Sequence, residues 1–360
     1  MWTPWNCSMK YSSKQSKNNL YGYPNWRTKA FFVLSFGFLS IFIIGFIGLN
    51  FGTISIQPQK IFSILWHHKT DDSLGLIIWE LRIPRLIMAM LTGMTLAGVG
   101  GAFQGILRNP LADPYILGVS AGAALGACSS IALQYVTGLY LMHILPVFAL
   151  LGASLSILLV YLFSRKKNHL PMTDLLLAGV AVNFFFSALI TILLAVSSRE
   201  LHSMVFWLMG DLSTANWQKI SLIILPVFLG SFLLIFSSLE LNAMALGEEE
   251  ALHLGIQTEK LRLKIFLIGS VMIAIVVSFT GLIGFVGLVI PHIARLVVGP
   301  DHRIMLPVSA LIGAAFLIFC DTMARTIIAP TEIPIGAITA IIGAPLFIHL
   351  LKRRSETNEY

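Results

Sequence analysis

Stretches of about 20 consecutive apolar residues recur along this chain of 360 residues, from Ala30 to the turn before Lys352. A run of that length is what a helix needs to cross a hydrocarbon core about 30 Å thick. No water-soluble fold absorbs so many of them, because a single core that large would leave too little polar surface to cover it. Composition agrees: 56% of residues are hydrophobic and 11% are charged, with mean hydropathy +0.83, whereas soluble domains carry about a quarter of their residues as Asp, Glu, Lys and Arg. The chain is therefore expected to be an all-α, polytopic membrane protein.

Ten crossings are predicted, at 30–50, 84–107, 115–135, 142–163, 172–196, 218–238, 262–281, 284–298, 305–324 and 334–351. The eighth is short and holds Pro291, His292 and Arg295. A broken or re-entrant segment buried in protein, with nine full crossings, stays open beside ten. The first is too long for the apolar part of a secretory signal, and no A-x-A site follows it, so it is expected to remain a membrane helix.

Cytoplasmic loops of membrane proteins are enriched in Lys and Arg. With the N-terminus inside, only Lys60, Lys69, Arg82, Arg85, Arg199, Lys219 and Arg325 fall outside, which leaves 17 of the 24 basic residues on the inner side. Both termini are then expected in the cytoplasm, with the chain in the cell (inner) membrane. Residues 1–29 read as a basic cytoplasmic tail, disordered or interfacial. Residues 30–351 read as the membrane domain and 352–360 as a second tail. The net charge of +7 follows from basic flanks of membrane helices in contact with lipid and calls for no nucleic acid. A short echo, Val119-Ser120-Ala121 and Val308-Ser309-Ala310, matches the habit of transporters to be built from internal repeats, with chance as the alternative.

Several constellations that would carry chemistry are missing from the sequence. It has no G-x-x-x-x-G-K-[ST] phosphate loop and no H-E-x-x-H. Cys7, Cys128 and Cys320 have neither disulfide nor metal spacing. His67-His68 and His292 read as hydrogen-bonded or interfacial residues. No metal site, cofactor or enzymatic activity is expected, and any ATP hydrolysis must come from a partner.

Gly93, Ala97 and Gly101 recur every four residues, and Gly98, Ala102, Gly118, Gly122 and Gly126 extend the pattern, so close helix packing is expected there. Asn183, Ser187 and Thr191 form one polar stripe on the fifth crossing. It reads either as the lining of a wet pathway or as groups bonded to their own and neighbouring helices. Between the sixth and seventh crossings, at about 239–260, lies the longest charged loop predicted to be cytoplasmic. There Gly247 breaks the chain, Glu248, Glu249 and Glu250 sit in a first turn, and Gly255 stands at a C′ position. A short surface helix, with Leu252, Leu254 and Ile256 able to enter a partner's groove, is predicted beside the plainer reading of an acidic loop.

Five stretches give this pattern a specific resemblance. They are Leu81-Arg82-Ile83-Pro84-Arg85; Gln104 to Pro114 leading into Leu117-Gly118-Val119-Ser120; Leu175-Leu176-Leu177-Ala178-Gly179-Val180; Gly284 to His292; and Pro334-Ile335-Gly336 through Gly343-Ala344-Pro345. In these the chain resembles permeases of the FecCD type, the membrane subunits of binding-protein-dependent ABC importers for iron-siderophores, haem and cobalamin. The resemblance implies a ten-helix bundle like that of the cobalamin importer permease, paired as a homodimer or as a pseudo-dimer with a related permease. Two ABC ATPase subunits would dock beneath it and a periplasmic or lipid-anchored substrate-binding protein above.

It further implies ATPase coupling through Gly247, Glu248, Glu249, Glu250, Ala251, Leu254 and Gly255. It implies docking of the binding protein on Arg82, Arg85 and Arg325, whose planar forks suit carboxylates; the alternatives there are interfacial anchoring and, for Arg325, an i,i+4 pair with Asp321. The gate would lie at Met172 and Thr173, ahead of the Asn183, Ser187, Thr191 stripe. Here only Thr173 keeps the hydroxyl typical of that gate, and Asp174 stands where the pattern often has a basic residue. Two other classes are weighed: an ion-driven secondary transporter, which needs ionisable groups near the bilayer midplane, and an intramembrane enzyme, which needs a nucleophile paired with a base.

Overall fold

A computed structural model describes residues 26–357, apart from 53, 68–71, 138–143, 167–170 and 198; most of the predicted N-terminal tail lies outside the described residues. Among the described residues the regular structure is entirely helical. In order it forms α1 (Trp26–Asn50), α2 (Pro58–His67), α3 (Ser73–Leu76), α4 (Ile83–Ile106), α5 (Val119–Thr137), α6 (Leu145–Ser164), α7 (Met172–Val196) and α8 (Leu201–Leu208). It continues with α9 (Trp217–Phe236), α10 (Ser238–Leu246), α11 (Glu248–His253), α12 (Thr258–Thr280), α13 (Val286–Val298), α14 (His302–Thr326) and α15 (Ile335–Thr357). A π-helical stretch, Ile77–Arg82, joins α3 to α4, and a 3-10 turn, Pro114–Leu117, precedes α5.

Seven of these helices are long and apolar enough to cross a membrane: α1, the α3–α4 run, α6, α7, α9, α12 and α14. Three shorter apolar helices, α5, α13 and α15, complete the ten predicted segments. Their ends lie close to the expected ones, except that α15 continues through Thr357 where a tail was expected from 352. The eighth segment resolves into α13, 13 residues long. At 1.5 Å per residue that is about 20 Å, short of a full crossing. Length alone did not reveal α2, α3 and α8. These are too short for a span, and α2 shows itself only by burying Ile61 and Ile64 while Phe62 and Trp66 stay exposed.

The bundle is organised around α4 and α14. In each, 78% of the most apolar window is buried, against 17% for α1 and 22% for α7. Glycine permits the central contact: a Cβ on Gly93 would overlap the carbonyl oxygen of Gly313, and one on Gly313 would overlap that of Gly93. Such close approach is how helices associate in lipid, where no hydrophobic drive separates protein from acyl chain. Ser309 adds a hydrogen bond to the Ala97 carbonyl (3.0 Å). The predicted small face at 93, 97 and 101 thus lies against α14, and Gly122 and Gly126 pack on α6 at Gly152 and Phe148. Gly98 does not take part, since a Cβ there meets nothing within 4 Å.

The α-helical course is interrupted at 107–118, where Arg108 and Asn109 are exposed but the 3-10 turn Pro114–Leu117 and Gly118 pack into the bundle, and again at 281–285. Irregular backbone is tolerated at such depth only when protein satisfies its polar groups. Tyr115 does so for both groups of one residue: its hydroxyl donates to the Ile283 carbonyl (3.0 Å) and accepts from the Ile283 N–H (3.2 Å). Ser156 similarly donates to the Gly118 carbonyl (2.7 Å).

Inserting bulk into a packed contact costs about 1–3 kcal/mol, more where backbone blocks relaxation. Gly93→Leu should therefore lower the thermal unfolding temperature of the detergent-purified protein, whereas Gly98→Ala should change stability by less than about 0.5 kcal/mol. Equal effects of the two substitutions would contradict the central role of the 93–313 contact.

Candidate functional site

At one end of the bundle the chain between α9 and α12 folds into the hairpin of α10 and α11. Gly247, at φ +152°, turns the chain between them. Gly255 closes α11 at φ +82°, with the Gly255 N–H bonded to Leu252 O (2.9 Å) and the Ile256 N–H to Ala251 O (3.0 Å). This pair of bonds caps a helix whose C′ residue is left-handed. The three glutamates occupy the first turn, where the helix dipole favours them.

These acids differ in what they touch. Glu248 turns back to α12 and receives Arg262 Nη2 at 2.6 Å, while Glu259 faces the same guanidinium at 3.5 Å. Glu249 and Glu250 are exposed, and so are Leu252 and Leu254, whereas Ala251 is buried. The hairpin offers two carboxylates and two leucines to solvent while its root is fastened to α12.

A second fastening lies on α10. The Asn242 side chain donates to Asp301 Oδ1 (2.7 Å) and accepts from the backbone N–H of His302 (2.8 Å). Its Oδ1 also lies 2.8 Å from His302 Nδ1. Asp301 caps α14 and holds Arg303 through two nitrogens, at 3.0 and 2.6 Å. The Arg303 contact holds the Asp301 carboxyl below its usual range, at about 2. Sequence reasoning missed this node, because nothing in the spacing of Asn242 and Asp301 marks them as neighbours.

At the opposite end, Arg82, Arg85 and Arg325 are drawn inward. Arg82 donates to the carbonyls of Leu49 and Ile54 and so closes the open C-terminal end of α1. Arg85 pairs with Asp321 (2.8 Å) and Glu332 (2.9 Å), and Arg325 reaches the other oxygen of Asp321 (3.0 Å). The three arginines are 5%, 9% and 5% exposed and Asp321 is fully buried. Forks free for a docking partner were expected here. In this conformation the guanidiniums instead join α1, α4, α14 and the loop that carries Glu332, and the i,i+4 pair of Asp321 with Arg325 is present. What favours this is the single buried carboxylate of Asp321, which two cations share.

Thr173 is exposed on the first turn of α7, and Met172 beside it is partly covered. Asp174 pairs with Lys166 at 2.5 Å, so an acid at this helix start holds a lysine from beyond the end of α6 as well as complementing the dipole. Asn183 is half-buried, while Ser187 and Thr191 point out of the single chain. Thr191 bonds the Ser187 carbonyl of its own helix (2.9 Å). The bundle of one chain therefore does not close around this stripe.

A match to the FecCD transport family covers residues 40–353. The chain belongs to that family. It is 41% identical over 338 residues to the ABC transporter permease protein YvrB of Bacillus subtilis, covering 90% of this chain and 94% of the relative. Identity is 43% over 283 residues to the cobalamin import system permease of Halobacterium salinarum, with coverage of 79% and 75%. The hemin transport system permease of Yersinia pestis shares 36% over 338 residues, covering 92% and 98%. Among solved structures, a metal-chelate type ABC transporter in an inward-facing conformation superposes with a TM-score of 0.79 at 35% identity, covering 89% of this chain and 99% of the other. The FecCD permease is thus a membrane-spanning subunit of the ABC importer type, and the secondary-transporter alternative falls away.

Removing one partner of a buried ionic group leaves the others uncompensated and costs about 3–5 kcal/mol. Asp321→Ala should therefore destabilise the permease severely, visible as a lower unfolding temperature or lost monodispersity in detergent. Full stability of that variant would show Arg85 and Arg325 to be adequately served by Glu332 and backbone.

Proposed function

We propose that this permease carries a large metal chelate, of the class that includes ferric siderophores, haem and cobalamin, and that it draws on a separate ATPase through the α10–α11 hairpin. The observation that carries the reading is the hairpin itself. It presents Glu249, Glu250, Leu252 and Leu254 outward, yet its root is tied to α12 by Glu248 and Arg262. A loop built only to connect two helices needs neither an ordered exposed turn nor a fastened base. The substrate class is drawn from relatives named for cobalamin, hemin and iron(3+)-hydroxamate import.

The proposed orientation places the hairpin and both termini in the cytoplasm, because that arrangement puts 17 of the 24 Lys and Arg on the inner side. Two ATPase subunits then meet the hairpins of two permease copies, and a substrate-binding protein meets the arginine end. The buried arginines act there first as struts that set the shape of the rim. Partly exposed Glu332, on the outer side of Arg85, is the point at which an incoming carboxylate competes for that fork. Between two copies the outward stripe of Ser187 and Thr191 lines the pathway, with Met172 and Thr173 at its inner mouth, where a bulky apolar side chain closes a pore by excluding water.

The test is to co-purify the chain with its ATPase and binding protein, reconstitute the complex in vesicles, and follow ATP hydrolysis with uptake of labelled ferric hydroxamate, haem and cobalamin. One of the three should accumulate in an ATP-dependent way. The combined Glu248→Ala, Glu249→Ala and Glu250→Ala variant should insert normally and lose about tenfold in uptake per ATP, equivalent to about 1.4 kcal/mol. Wild-type transport by that variant would remove the hairpin from the mechanism.

A further inference from the structure

The hairpin is fastened to two parts of the bundle: to α12, by Glu248 with Arg262 and by Glu240 with Lys264 (3.2 Å), and to α14, by Asn242. Glu248 and Arg262 join α11 to the start of α12, the helix that directly follows it. Asn242 instead joins α10 to α14, 59 residues further along the chain at Asp301. It does so with both ends of its amide: the NH2 group meets the Asp301 carboxylate, and the oxygen meets the first N–H of α14. Each of its two partners is also held independently. Asp301 is gripped by Arg303, and the His302 ring lies on the backbone of α4, where a Cβ on Gly105 would stand 2.7 Å from Nε2. One side chain thus touches the start of α14 at the level where α4 ends. Those two helices are locked together at Gly93–Gly313 and Ser309–Ala97.

We propose that Asn242 is the positioning residue through which displacement of the acidic hairpin passes to the α4–α14 pair. Surface packing alone lets two helices slide. A bidentate amide held against a helix cap resists translation in both directions, because moving either way breaks one of its bonds. The α10–α11 hairpin and the α4–α14 pair then move as one body, while α7, which is tied to neither, is left behind. The inference rests on the hairpin being the ATPase contact.

The experiment uses the reconstituted complex of permease, ATPase and binding protein. Asn242→Asp sets two carboxylates against each other. Its combination with Asp301→Asn restores a donor facing an acceptor and keeps a good helix cap. ATP hydrolysed per molecule taken up, for whichever of ferric hydroxamate, haem and cobalamin the wild-type complex accumulates, should rise at least fivefold in Asn242→Asp and return to within about twofold in the exchanged pair. An unchanged ratio, including a parallel fall in hydrolysis and uptake, overturns the proposal, as does failure of the exchange to restore it. Should Asn242→Asp not assemble, Asn242→Ala is read against the same ratio. A complex that takes up none of the three probes defeats the substrate reading and leaves this one to a structural readout. The distance between spin labels at Phe184 on α7 and Phe319 on α14 should change on nucleotide binding in the wild type and not in Asn242→Asp. Equal changes in both refute the role of Asn242.

Discussion

The contact of Gly93 with Gly313 is the condition on which the rest of this architecture stands. In lipid, two helices gain nothing by hiding leucines from the solvent, so their association depends on how closely their backbones can approach. With no side chain at either position, α4 and α14 meet backbone to backbone, and Ser309 adds a hydrogen bond to Ala97 across the seam. Each end of the pair is then closed by polar groups. Asp321 ties Arg85 of α4 to Arg325 of α14 at one end, and His302 rests on Gly105 at the other. An ionic cluster as buried as that of Asp321 adds little net stability, since desolvation offsets most of its Coulomb gain. Its contribution is to fix the register of two helices whose small-residue faces would otherwise permit sliding.

Membrane burial also explains where polar side chains are found. Arg82 serves the carbonyls at the end of α1, Tyr115 serves the amide and carbonyl of Ile283, and Ser156 serves Gly118. In each case a helix has ended or has not yet begun, and a side chain from elsewhere in the chain completes the backbone. The interruptions at 107–118 and 281–285 thereby hold each other through one phenol.

Ten apolar segments were legible from length alone, because the hydrocarbon core imposes one dimension on all of them. So was the acidic hairpin, since Gly247, three glutamates and Gly255 report local backbone geometry that the structure realises at φ +152° and +82°. The small face at 93, 97 and 101 was readable from its four-residue repeat, although the same reasoning wrongly included Gly98, whose open side depends on which neighbours happen to face it. What escaped was long-range pairing. Arg82 and Arg85 look like exposed anchors until Asp321 and Glu332, more than 230 residues away, are brought beside Arg85. Asn242 looks like any loop amide until Asp301 arrives. Asp174 looks out of place in sequence, and its partner Lys166 becomes evident only when the two side chains are seen together.

The contrast between tightly and loosely held helices bears on how such a bundle moves. A helix with 78% of its apolar window inside protein cannot shift without carrying its neighbours, whereas α7, with 22% inside, leaves most of its apolar window outside the single chain. On the proposed role of the hairpin as the ATPase contact, motion delivered at its root has two unequal receivers. Through Arg262 it reaches α12 by way of the chain itself, and through Asn242 it reaches the α4–α14 block. The block transmits because it is rigid, and α7 can be passed by because it is not part of it. A pathway bordered by Ser187 and Thr191 would open and close by relative displacement of these two bodies, with no helix unfolding and no buried ion pair broken on each cycle.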